Sequence, residues 1–357
     1  MPKSKKNPIL ADMHTHLNEK KVKARDYWKF VLQKKLTVIA ITEHSNYKPD
    51  EAYAKLKATQ PKGILLIPGL EAKTSAGDLL LYGEDDSIYK IKELQKMNVK
   101  IETALKIATK NNLLVSFAHP FGYKSDSVCE VLGEKKTLKL LKKYKIGTEY
   151  YNGMLGSANQ LLFGRGIAKR FYGVLDFVEK NKAANSLHMN RTTASQKEKL
   201  EKLAIETLNR VKKGMLFSLH ASFRTVGSDA HYPTAIGSAI IELKKKPKSE
   251  KEFIEMIRTN KTLWKGPNIY SKTPVDIIGK KEMVEGLTYL AKKNVLKKRK
   301  IPIASKISQK ISLGKRIKTI KRITKKANIG KISKKMPKFK IKKRFGILKQ
   351  KLRNLRT

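Results

Sequence analysis

The stretch Asp12-Met13-His14-Thr15-His16 offers two imidazoles at alternate positions, directly behind the apolar run Ile9-Leu10-Ala11. Residues two apart on a strand point the same way. His14 and His16 can therefore reach one metal ion, for which neutral imidazole is a common ligand. Asp12, on the same face, is placed to orient an imidazole by hydrogen bonding. Acids and histidines recur behind later apolar runs. They are Glu43-His44 after Ile41-Thr42, Glu71 in Pro68-Gly69-Leu70-Glu71 and His119 in Ala118-His119-Pro120. Glu149 follows, with Asn152 behind it, and then Asp229 and His231 in Gly227-Ser228-Asp229-Ala230-His231. Each motif alone also fits a polar turn or a satisfied core histidine. Five of the seven histidines occupy such places, and as a set they point to a site for more than one metal ion.

Something must bring these scattered residues together. The sequence predicts strands over 9–14, 37–42, 64–68, 78–83, 113–118, 146–150 and 223–226. Amphipathic helices are predicted between them, over 24–35, 88–111 (broken near Asn98) and 135–144. Strands that are apolar throughout and separated by helices indicate a parallel sheet covered on both faces. Six or seven such units indicate an α/β fold closed, or nearly closed, into a barrel. Chemistry in such a barrel lies at the C-terminal ends of the strands, which is where the motifs fall. Residues 154–214 read as a helical insertion, with amphipathic runs over 158–182 and 196–213. His188 within it and His220 after it match no motif and read as solvated.

The five motifs resemble, in order, those of the PHP family, named for polymerase and histidinol phosphatase. The resemblance runs from about residue 9 to 265 and takes in Ala235-Ile236-Gly237 and the predicted helix near 252–259. It implies a distorted (β/α)7 TIM-like barrel with two or three divalent metal ions at its mouth, hydrolysing phosphoesters. It implies that His14, His16, Glu71 and Asp229 hold one ion, and that Glu71 bridges to a second ion also held by His119. His44 and His231 then face a third position or complete the pair. Two further ligands common in three-metal members are missing, with Glu19 and Asp78 the nearest substitutes, so two ions are expected rather than three. Zinc, manganese or iron suits such mixed nitrogen and oxygen donors. Close divalent ions neutralise phosphate oxygens, lower the pKa of a bound water and steady the leaving oxygen. Asp229 and His231 are the expected catalytic residues, His231 as general acid. Arg165, Lys169, Arg170 and Arg191 in the insertion are candidates to hold a substrate phosphate, though on a chain this rich in Lys and Arg solvated surface is the better reading of each.

Composition sets the remaining bounds. The chain has 357 residues and 40% hydrophobic content, enough for a packed core. One cysteine, Cys129, rules out an internal disulfide and a cysteine-based zinc knuckle. No apolar run follows the charges of Met1-Pro2-Lys3-Ser4-Lys5-Lys6, and no stretch approaches the ~20 apolar residues of a membrane span. A cytoplasmic protein is expected. The formal charge of +49 is uneven: residues 291–357 carry 27 Lys and Arg and no acid. Three parts follow: a barrel over 1–270, a linker helix over 271–290 and a Lys/Arg-rich tail over 291–357. The tail repeats Ile303, Ile307 and Ile311 at helical spacing. It fits nucleic-acid phosphates, an anionic membrane surface, or a solvated extension. Phosphoester chemistry in the barrel favours nucleic acid. The expected substrate is a phosphomonoester or a phosphodiester, in a nucleotide or short nucleic acid. The rival from another class is a non-catalytic, metal-containing module that binds nucleic acid or joins a polymerase assembly.

Overall fold

The structure is a computed structural model and describes residues 7–158 and 189–270. The chain divides into two units, Met1–Ala291 and Lys292–Thr357, and the described residues belong to the first. The expected linker helix and basic tail lie outside the described residues. So do Arg165, Lys169, Arg170, His188 and the side chain of Arg191.

In chain order the elements are β1 (Ile9–Asp12), α1 (Ala24–Gln33), β2 (Leu36–Ile41), α2 (Pro49–Lys57), β3 (Leu65–Thr74), β4 (Gly77–Tyr82) and α3 (Ile101–Lys110). Then come β5 (Leu114–Phe117), α4 (Val128–Leu132), α5 (Glu134–Tyr144), β6 (Gly147–Asn152) and α6 (Gly153–Gly156). The last are α7 (Met189–Phe217), β7 (Arg224–Gly227), β8 (Ala239–Leu243), α8 (Glu250–Arg258) and β9 (Thr262–Pro267). The nine strands form one sheet in the order β7-β6-β5-β4-β3-β2-β1-β8-β9. Pairing is parallel within β1–β2–β3 and within β5–β6–β7. The sheet differs from an all-parallel one at β4, which runs antiparallel to both β3 and β5. Only Ser75 and Ala76 separate β3 from β4, and so short a link allows a hairpin but no crossover helix. The last two strands, β8 and β9, are antiparallel additions beside β1.

The sheet curls until β7 comes back beside the extension of β1 at the rim. Beyond β1 and β7 the backbone ladder continues: Met13 N–H donates to Val226 O (3.2 Å), Asp229 N–H to His14 O (2.7 Å) and His16 N–H to Ala230 O (2.9 Å). On the other side of β1, Thr42 N–H donates to Thr15 O and Glu71 N–H to Glu43 O. The result is a nearly closed α/β barrel. Alternation along β2 shows its two layers. Val38 and Ala40 face an inner cluster with Ala11, Met13 and Ile67, whereas Ile39 and Ile41 pack outward against α1 and its neighbours. Phe253, Ile254 and Ile257 of α8 join the inner cluster. Each fully buried Val, Leu or Ile contributes roughly 1.5–3 kcal/mol, so the rim residues rest on a well-supported base.

Candidate metal centre

Every strand-end motif opens onto the same rim. His14 and His16 are buried, with ring centroids 5.1 Å apart, as their alternate spacing requires. His16 stacks against His44 at 4.4 Å and against His231 at 4.3 Å. Three sets of donor atoms lie within 4.8 Å of one another: His14, His16 and Asp229; His16, His44 and His231; and His44, Glu71 and Asp78.

Glu71, in the middle of β3, is the hub. Its Oε2 lies 2.8 Å from His44 Nδ1, 3.4 Å from His14 Nε2 and 3.5 Å from His16 Nε2. Its Oε1 lies 3.2 Å from His119 Nε2, so the two oxygens face different imidazoles. Asp229 Oδ1 lies 3.3 Å from His16 Nε2 and 3.5 Å from His14 Nε2 and His231 Nδ1. All seven residues expected to hold metal, His14, His16, His44, Glu71, His119, Asp229 and His231, thus converge on one cavity. Both substitutes come with them. Glu19 Oε2 is 2.8 Å from His231 Nε2 and 3.4 Å from His44 Nε2. Asp78 stands beside His44 and Glu71 and is bound by Lys73 Nζ at 2.8 Å. His220 is exposed and apart from the cluster.

The role expected of Asp12 differs in the structure. Its carboxylate orients no imidazole. Instead Oδ1 accepts the backbone N–H groups of His14 (3.2 Å) and Ser228 (2.8 Å), and Oδ2 accepts that of Gly237 (2.8 Å). The twist past β1 turns Asp12 toward the neighbouring loop, where it fastens the ends of β1 and β7 together. Imidazoles are oriented by two other acids to which the sequence assigned no role. Glu149 Oε1 meets His14 Nδ1 at 3.1 Å, while its Oε2 accepts His119 N–H (2.8 Å) and Asn152 Nδ2 (3.0 Å). Glu43 Oε1 faces His16 Nδ1 at 3.4 Å, and its Oε2 accepts Leu17 N–H at 2.8 Å. Glu43 follows a predicted strand and Glu149 lies near the end of one, and their place at strand ends is the one signal the sequence carries for them. Asn152 also binds Asp229 Oδ2 at 3.1 Å.

Two ligand candidates sit on left-handed backbone, His119 at φ +23° and Asp229 at φ +54°. For residues other than glycine this costs of order 1–3 kcal/mol each. It persists because Glu149 holds His119 N–H and His14 O holds Asp229 N–H.

The donors fit divalent metal. Nδ1 of His119 is buried with no hydrogen-bond partner among the described residues, and both ring nitrogens of His16 and Nδ1 of His44 face carboxylate oxygens without the alignment of a hydrogen bond, which is unfavourable unless another group binds them. Donor separations of 3.2–3.5 Å also match the edges of a coordination shell with ~2.1 Å metal–ligand distances. Without metal the site compensates with protons. Burial opposes charge on His14, yet Asp229, Glu71 and Glu149 outweigh it and hold its pKa well above the ordinary value. Burial likewise opposes charge on His119, and Glu71 overcomes it to raise the ring to about 9. Burial pushes the Asp78 carboxyl up to about 6, with Glu71 adding repulsion. Glu71 itself, despite burial, is held well below the usual carboxylate range by His44 and His14. Metal entry must displace the imidazole protons, so affinity should rise with pH.

Residues 224–262, from β7 into β9, match the family model PHP_C, described as PHP-associated. No curated protein matches the chain. Among solved structures, one similar chain is a two-domain protein from Bacteroides vulgatus containing a predicted PHP-like metal-dependent phosphoesterase. It is 16% identical over 72% of this chain and 64% of that one, with a TM-score of 0.45. Another is the lesion-specific endonuclease PfuEndoQ from Pyrococcus furiosus, 12% identical over 71% of this chain and 56% of that one, with a TM-score of 0.40. This chain therefore spans less than two thirds of either protein's length.

Proposed function

From the PHP-associated segment that residues 224–262 carry, we propose that this chain is a PHP-family metal-dependent phosphoesterase acting on a phosphomonoester or phosphodiester. The observation that carries the reading is the convergence of His14, His16, His44, Glu71, His119, Asp229 and His231 on one rim, with buried ring nitrogens that face carboxylates yet make no aligned hydrogen bond.

His14, His16, Glu71 and Asp229 would hold one divalent ion, and Glu71 with His119 a second. His44 and His231, with Glu19 within reach, complete the set. Zinc, manganese or iron fits these donors best. Such ions, when bound, supply Lewis acidity to the phosphate oxygens and lower the pKa of an attacking water. The protein's own groups prepare for this. Glu149 accepts the Nδ1–H of His14, so that the Nε2 side, which faces Glu71 and Asp229, would be the one to bind metal once its proton is displaced. Glu71 turns its two oxygens to different imidazoles, the arrangement a bridging carboxylate needs. His231 is the most exposed imidazole of the cluster at 19% of its side chain. Its Nδ1–H donates to Asp229 O at 3.0 Å. Burial opposes its charge, but Glu19 and Asp229 raise its pKa, and Nε2, 2.8 Å from Glu19 Oε2, is the ring atom that would give a proton to the leaving oxygen. Asp229 holds both His14 and His16 from one oxygen.

No helix among the described residues is long and apolar enough to cross a membrane. The tail, which lies outside the described residues, would add general affinity for polyanions through its 27 basic side chains. A non-catalytic metal module remains the alternative, and it explains less well so nearly complete a donor set. The deciding experiment loads the purified chain with zinc, manganese or iron and offers bis(p-nitrophenyl) phosphate, p-nitrophenyl phosphate and a panel of natural esters. Metal-dependent release of nitrophenol or phosphate is expected. Bound metal without turnover of any ester would leave the non-catalytic reading standing.

A further inference from the structure

Beside the metal cluster lies an open cleft of about 680 Å³ lined by Asn18, Lys21, Lys23, Tyr47, Lys48 and Lys55, with Glu51 at its edge. One wall is the segment between β1 and α1. The other is the turn after β2 together with α2. Asn18 pins the walls together: its Nδ2 donates to Tyr47 O and Lys48 O at 3.0 Å, and its Oδ1 accepts Lys55 Nζ at 3.0 Å. Four lysines face one acid here. Glu51 is paired with Lys48 at 2.6 Å and Lys55 at 3.7 Å, whereas Lys21 and Lys23 have no ion pair among the described residues. Glu19 and Tyr47 link the cleft to the cluster. Glu19, flanked in sequence by lining residues, reaches His231 and His44, and the Tyr47 ring lies 6.1 Å from that of His44. His231 and Glu19 are also the most exposed members of the cluster, at 19% and 18% of their side chains, whereas His14, His16 and Glu71 are closed off. The cluster is thus open where the cleft begins.

A small phosphomonoester would leave this volume empty, since clefts of ~300–1,000 Å³ suit ligands of drug or nucleotide size and above. Unpaired lysines on one wall suit successive backbone phosphates, and an exposed aromatic beside them suits an unpaired base. We propose that the substrate is a phosphodiester within a single-stranded polynucleotide. Nucleotides on one side of the scissile bond run along this cleft, their phosphates on Lys21 and Lys23 and a base on Tyr47. This rests on the phosphoesterase reading above and selects among its substrates.

The test is a lysine footprint on the full-length chain. Acetylation rates of individual lysines are read by mass spectrometry with and without a twelve-residue oligothymidylate, and with thymidine monophosphate at equal nucleotide concentration. Tail lysines report on separate peptides and do not obscure the result. Slowing of Lys21 and Lys23 by about fivefold or more with the oligonucleotide alone is expected. Protection confined to the tail, or equal protection by the mononucleotide, would overturn the proposal. In parallel, the Lys21→Glu, Lys23→Glu double variant should raise KM for the oligonucleotide about tenfold or more at moderate salt and leave turnover of bis(p-nitrophenyl) phosphate unchanged. An unchanged oligonucleotide KM would refute the strand path while small-diester turnover kept the catalytic reading intact. If the parent chain turned over no ester of either kind, the catalytic reading would fail, and the footprint would still decide whether the cleft takes a strand; turnover of monoesters but no diester would overturn the proposal and keep the catalytic reading.

Discussion

Glu149→Gln removes one charge from a fully buried carboxylate and little volume. In the folded chain both oxygens accept: Oε1 from His14 Nδ1 at 3.1 Å, Oε2 from His119 N–H at 2.8 Å and Asn152 Nδ2 at 3.0 Å. A glutamine has one acceptor oxygen. Whichever way it is turned, its NH2 faces a donor, either the His14 ring or the His119 backbone amide. Leaving a buried donor unsatisfied costs about 1–3 kcal/mol, so the metal-free variant should unfold at lower urea concentration by that amount. The second effect is on metal. Without an acceptor that fixes its Nδ1 proton, His14 loses its preferred tautomer, and loss of such a supporting contact weakens metal binding about 10- to 100-fold, or about 1.4–2.7 kcal/mol. Competition against a calibrated chelator measures the affinity, and urea denaturation of chelator-treated protein measures stability. Affinity within twofold of the parent, together with unchanged metal-free stability, would refute the assignment of Glu149 as the group that aims His14.

His231→Gln should lower kcat on an ester with an alkyl leaving group by about 10²–10⁴ and act far less on a nitrophenyl ester, whose leaving oxygen needs no proton. Equal losses on both would assign His231 to holding metal alone. Gly227→Ala places a Cβ 2.2 Å from His14 Cβ and 2.4 Å from His14 N. Since β7 and the segment after β1 cannot part without opening the barrel, the cost should reach about 3 kcal/mol or more, read by urea unfolding; a parental midpoint would contradict the closed rim. Burial, with Arg224 nearby, lowers the Lys265 pKa to about 8. The unfolded chain keeps that proton up to about 10.4 and so binds more protons between these values, and stability should rise with pH across that window. Lys265→Met should raise Tm at pH 7 and lose that advantage above about pH 10. A variant less stable than the parent at pH 7 would refute the cause given for the shift.

The site was legible largely because each metal-ligand candidate stands immediately behind an apolar run, where strand and turn are both visible in the sequence. Barrel topology then does the remaining work, carrying residues as far apart as His14 and Asp229 into contact. Glu149 and Glu43 were seen at strand ends but given no role, since accepting backbone amides leaves no spacing signature. Asp12 was misassigned for the same reason. Its partners Ser228 and Gly237 lie over two hundred residues away and offer only backbone N–H groups. The antiparallel course of β4 depends on the two-residue link at Ser75-Ala76, which Glu71, Lys73 and Thr74 conceal because these polar residues make the third strand read as ending at Pro68. The strands β8 and β9 follow the last motif and carry no metal-ligand residue of their own to mark them. The lysine cleft is assembled from two segments whose charges are unremarkable in a chain of 79 Lys and Arg.

The central claim is that the rim cavity holds divalent metal on His14, His16, His44, Glu71, His119, Asp229 and His231. Anomalous diffraction from crystals of the metal-loaded chain, recorded on either side of the metal's absorption edge, tests it most directly. The account predicts at least two anomalous peaks inside the cavity, one of them beside His14, His16 and Asp229 and another beside Glu71 and His119, both lost in Glu71→Ala. Peaks confined to other parts of the molecule, or a cavity without any, would contradict it.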